Sequence, residues 1–141
     1  MTACPICEKH TTPIDTQIHR GEHAALVHYP VSEAEPKAYK GHLMVELHRH
    51  VTSFGELTDA EAAEVGVIIA RGVRLLTDQL GAEHTYVFSI GHLVPHLHIH
   101  LVARYPGTPE EFWDGKKLST WPEAPMLDHA QVLALAAEFS C

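Results

Sequence analysis

The residues most able to do chemistry stand at 96–102, His-Leu-His-Ile-His-Leu-Val. On a β-strand successive side chains point to opposite faces, so His96, His98 and His100 would share one face and Leu97, Ile99 and Leu101 the other. The apolar row can pack on a core, which turns the imidazoles toward a cleft, a metal or water. Rings ~6.6–6.8 Å apart along one strand would repel if all were charged, so at least two are expected to be neutral or engaged. Neutral imidazole is nucleophilic near neutral pH and its protonated form stabilises an anion. Several imidazoles on one rigid face therefore suit attack on a phosphoryl group, one ring attacking while its neighbours stabilise charge. A second cluster lies at the start, where Cys4-Pro5-Ile6-Cys7 offers two thiolates at a spacing common in tetrahedral metal sites.

The elements that must position these groups can be read from periodicity. Residues 23–29 and 42–48 are short apolar runs that predict strands. Residues 30–41, with Pro30 and Pro36, predict a long loop. Thr58 with Glu61 makes a capping box, and Val65, Ile68, Ile69, Gly72, Val73, Leu76 and Leu80 recur at the spacing of one buried helical face. The spacing predicts a helix over 59–80, stopped at Gly81. Strands at 85–90 and 96–103, joined through 91–95, and a helix over 128–139 complete the pattern. Residues 105–127 carry Pro106, Pro109, Pro122 and Pro125 and predict an irregular segment, with Trp113 and Trp121 anchoring it on the core. The order β-β-α-β-β-α predicts one α+β domain over 1–141, an antiparallel sheet with helices packed on it.

Composition narrows the function. The chain has 141 residues and a net charge of −8, which argues against broad binding of nucleic acid. Its 13 histidines outnumber its 10 lysines and arginines. Three cysteines fit a disulfide framework poorly, so metal binding or redox chemistry is the better reading of the pair. No apolar run is long enough for a membrane span, and the first residues lack an apolar signal segment, so a cytoplasmic protein is expected. His10, His19, His23, His84 and His129 are expected to be solvated surface residues.

At residues 96–102 the chain resembles the histidine triad (HIT) family, whose signature is His-φ-His-φ-His-φ-φ with φ hydrophobic. Gly41-His42-Leu43-Met44-Val45 resembles that family's Gly-His strand, and Arg104-Tyr105 its Pro-Arg ending. The resemblance implies a homodimeric α+β fold that binds a nucleoside phosphate against the sheet. It implies that His98 attacks the α-phosphate to form a covalent nucleotidyl-histidine, while His96 and His100 position and polarise. Phosphoramidates and dinucleoside polyphosphates are the substrates implied. His92 stands where a phosphate-contacting glutamine is usual, Ala103 replaces the usual proline, and His28 or Tyr29 lies near the ribose-binding position, with His42 bordering the pocket. Zinc-bearing members imply a closed structural zinc site from Cys4, Cys7, His50 and His96, with His48 the rival to His50. Two other readings stay open here: a zinc-dependent hydrolase whose histidine row holds the metal, and a non-catalytic nucleotide-binding module.

Overall fold

A computed structural model describes residues 3–140. Five strands form an antiparallel sheet: β1 (Gln17–Arg20), β2 (Ala24–His28), β4 (His42–Leu47), β5 (His84–Phe88) and β6 (His98–Arg104), in the order β1-β2-β4-β6-β5. A two-residue pair, β3 (Ala38–Tyr39) with β7 (Met126–Leu127), lies apart from it. Helices are α1 (Pro5–Lys9), α2 (Asp59–Leu80) and α3 (His129–Phe139). This is the expected α+β architecture, with β4 at the centre of the sheet.

Register decides what each face carries. Leu26 pairs with Val45 and Val45 with Ile99; Leu43 pairs with Leu101. Those apolar side chains meet Val65, Ile68 and Leu76 of α2 in one core. At Gly72 the helix comes so close to the sheet that an added Cβ would fall 2.6 Å from Leu101 Cδ1. The capping box closes as expected, with Glu61 N–H donating to Thr58 Oγ1 at 3.1 Å and Thr58 N–H to Glu61 Oε1 at 2.9 Å. Gly81 ends the helix in the left-handed conformation, φ 74°. The opposite sheet face is set by the partners Glu46 and His98, and Met44 and His100. It is this face that stays open to a pocket.

Four short elements were not foreseen: α1, β1, β3 and β7. In β1 only Ile18 is buried, so no periodic signal marks it. Strand β6 begins at His98 rather than at residue 96, because Leu97 N–H bonds to Val51 O at 2.7 Å and leaves the β4 ladder's regular register. Residues 105–127 are mostly irregular, with 3₁₀ turns at Glu110–Phe112 and Leu118–Thr120. Their buried anchor is Leu118, packed with Tyr39 and Val102, rather than a tryptophan. Trp113 instead lies half-exposed, with the Arg104 guanidinium 3.7 Å over its ring. No helix among the described residues is long and apolar enough to cross a membrane.

Candidate active site and metal centre

A cavity of about 610 Å³ opens over the face of β4 and β6. Met44, Glu46, His98 and His100 form its floor, Tyr29 and the start of the 30–41 loop one wall, residues 90–94 a second, and α1 a third through Pro5, Ile6 and Lys9. His98 holds a single tautomer. Its Nδ1 lies 2.6 Å from the main-chain oxygen of His96, which can only accept, so Nδ1 carries a proton and the lone pair of the neutral ring is on Nε2.

His100 and His42 lie Nδ1 to Nε2 at 2.9 Å, one ring donating to the other. His42 stacks on Tyr29 and His100 on Phe88, with centroids 4.4 and 4.9 Å apart. Burial first, then the neighbouring imidazoles, lowers His42 to about 3 and His100 to about 4. Both are therefore neutral at pH 7. The unfolded rings titrate near 6.5, so between 6.5 and about 4 the unfolded chain takes up protons that the native chain refuses. Stability at these rings is full above 6.5 and is lost as pH falls through that window. We expect the melting temperature to drop from about pH 7 to about pH 5, and the ring proton resonances of His42 and His100 to stay fixed over that range. A titration of either ring near 6.5 would refute this.

His92 lies on the exposed 90–94 wall beside Leu93, which is 97% exposed, so this part of the rim is open. His28, expected beside the substrate, is placed elsewhere. Its partner Leu43 faces α2, its side chain is sealed, and both ring nitrogens are taken: Nδ1–H donates to Tyr29 O at 2.8 Å and Nε2 accepts from Gly41 N–H at 3.1 Å. His28 thus fixes the turn into β4, and Tyr29, next in the chain, takes the place on the pocket wall.

At the α1 wall, the N-terminal segment brings candidate ligand atoms together. Cys4 Sγ and Cys7 Sγ lie 3.3 and 3.4 Å from His96 Nδ1; His50 Nδ1 lies 3.4 Å from Cys7 Sγ and 3.2 Å from His96 Nδ1. All four atoms fall within 4.8 Å of one another. A tetrahedral ion with metal–sulfur bonds of about 2.3 Å and metal–nitrogen bonds of about 2.0 Å requires ligand–ligand edges of about 3.3–3.8 Å. The donor set fits such an ion. His96 Nε2–H donates to Leu47 O at 2.6 Å, which leaves Nδ1 as the unprotonated, metal-facing nitrogen. His48 turns away to Gly21 O at 2.9 Å, so His50 is the ligand-side residue of the two. Among the described residues, His98 and His100 join no cluster of three metal-capable side chains.

Residues 9, 10 and 46 form a group that local patterns did not reveal. Glu46, fully buried, takes Lys9 Nζ at 2.5 Å on one carboxylate oxygen and His10 Nε2 at 2.9 Å on the other. His10, expected on the surface, has a side chain only 7% exposed, and Arg20 donates to its Nδ1 at 3.2 Å. Burial alone would raise the Glu46 carboxyl; the bonds from His10 and Lys9 outweigh it and hold the group below its ordinary value. The signal available in sequence was Glu46 itself, a carboxylate in the otherwise apolar run Leu43-Met44-Val45-Glu46-Leu47.

An alternating histidine strand, a preceding Gly-His strand and a long capped helix on the far face define a protein class. Residues 29–107 match the HIT domain, and the chain belongs to the HIT domain family. AP-4-A phosphorylase of Mycobacterium tuberculosis is 32% identical over 74 residues, which cover 48% of this chain and 37% of the relative. The chain thus spans little more than a third of the length of the curated relatives it matches. A hypothetical histidine triad nucleotide-binding protein from Sulfolobus tokodaii superposes with a TM-score of 0.68 at 19% identity, over 96% of this chain and 88% of its own. The C. elegans NitFhit protein gives 0.64 at 22% identity, over 91% of this chain and 27% of its own.

Proposed function

We propose that the chain is a nucleotide hydrolase or nucleotidyl transferase, acting as a cytoplasmic homodimer on a nucleoside phosphoramidate or dinucleoside polyphosphate. The observation that carries the reading is the His98 tautomer: Nδ1–H is committed to His96 O at 2.6 Å, and the Nε2 lone pair is left for the pocket. Nε2 attacks the α-phosphorus, a bond from nitrogen to phosphorus forms, and the bond from phosphorus to the leaving group breaks. The leaving group departs with that electron pair and takes up a proton. Water or another acceptor then attacks the same phosphorus, loses its own proton, and returns the electron pair to His98. His100, with His42 donating to its Nδ1, keeps an Nε2–H for a phosphoryl oxygen, and His92 supplies a second donor from the rim.

Cys4, Cys7, His50 and His96 would hold zinc in this reading. Four protein ligands leave no open position, so the ion would be structural and takes part in no step. The relative named AP-4-A phosphorylase supports a dinucleoside polyphosphate as one candidate substrate. Brief incubation with an adenosine phosphoramidate or a diadenosine polyphosphate, followed by an alkaline denaturing quench, which preserves a phosphorus–nitrogen bond, and peptide mass spectrometry, tests the covalent route. A nucleotidyl adduct on the peptide containing His98 is expected. Turnover with no adduct at any quench time rules that route out.

A further inference from the structure

We propose that Lys9 is a substrate-binding residue that donates to the phosphoryl oxygens of the nucleotide, and that Glu46 is the positioning residue that aims it. This rests on the nucleotide reading above. Register places Glu46 directly across from His98, so their side chains share the pocket floor as nearest cross-strand neighbours. Lys9 reaches the same floor from α1. Among the described residues lining the cavity, Lys9 is the lysine and there is no arginine.

The pair has a direction. Glu46 is 0% exposed at its side chain and Lys9 27%, so the carboxylate is the deep end and the ammonium the wet end. Both carboxylate oxygens are already engaged, one by Lys9 and one by His10. An ammonium has three donors and Glu46 Oε2 takes one, which leaves Lys9 protons for an anion in the cavity. A carboxylate buried beside an anion-binding nucleophile would otherwise repel the substrate. Turned inward and answered by two donors, it holds the lysine without facing the ligand bare.

The test uses the full chain and two probes, adenosine 5′-monophosphate and adenosine, titrated by calorimetry. Lys9→Met should weaken the monophosphate by about 10–100-fold, the usual loss for one charge-assisted hydrogen bond, while adenosine binding changes little. Lys9→Met could leave Glu46 buried without its partner. The comparison is therefore repeated in a Glu46→Gln background, where no bare charge remains, and the same loss is expected between Glu46→Gln and Lys9→Met/Glu46→Gln. Equal monophosphate affinity with and without Lys9 in that background overturns the proposal. Parallel loss of both probes overturns it too, since that marks a collapsed wall rather than a lost contact. Wild-type protein that binds neither probe overturns the nucleotide reading itself, an outcome separate from these.

Discussion

His98→Ala removes turnover: kcat on a phosphoramidate or dinucleoside polyphosphate falls by about 10⁴-fold or more, as expected when a nucleophile is deleted rather than a helper. Nucleoside monophosphate affinity stays within a few-fold, because His100, Lys9 and Tyr29 still line the cavity. The fold survives. His98 is half-buried, and the hydrogen bond from its ring to His96 O is worth about 1 kcal/mol. The adduct on residue 98 disappears with the activity. A variant that keeps turnover within tenfold of wild type would mean that another group attacks or that water attacks directly.

Loss of the metal site costs stability first. Cys7→Ser, or prolonged chelation, removes a ligand set that joins α1 to the segments holding His50 and His96. An ion present at about 1,000 times its dissociation constant stabilises a native state by about 4 kcal/mol. For a chain of this size that corresponds to a melting temperature lower by about 10–15 °C. The metal content of purified wild-type protein should be one ion per chain, with zinc the expected element. His48→Asn should leave the metal content unchanged, and His50→Asn should lower both content and melting temperature. Wild-type protein from zinc-replete medium with substoichiometric metal, or a Cys7→Ser variant that melts like wild type, would refute the site. Activity should fall later than stability, because an ion held by these four residues would touch no reacting atom and would reach His98 only through residue 96.

Much of this was legible in the chain because it is written locally. Helix α2 runs Asp59–Leu80 as expected, since its cap, its buried stripe and its glycine stop are all local chemistry. The alternation in β6 likewise announced a polar row over an apolar one, and the Gly-His strand gave its neighbour. What escaped depends on distant partners. His10 and Lys9 find Glu46 across 36 and 37 positions, and no pattern around residue 10 encodes that meeting. His28 could be placed near the early strand's end, yet its face depended on pairing with Leu43 across a long loop. Helix α1 is five residues long and has only Ile6 buried, too short to show a period. Cys4 flanks it and Cys7 lies within it, so the grouping of Cys4 and Cys7 with His50 and His96 was readable where the helix was not.

One feature of the ligand set bears on how the chain is made. Cys4 and Cys7 meet His96 across 92 and 89 positions. During synthesis at about 5–20 residues per second, the thiols wait roughly 5–20 s before their last partner has even been added to the chain. Strand β6, which sits between β4 and β5, arrives only then, so until that moment the sheet lacks the strand that joins its edge to its centre. The newborn chain therefore carries two unprotected thiols through the whole assembly of its hydrophobic half. Metal availability and a reducing milieu in those seconds should influence the yield of native protein more than they influence the finished protein.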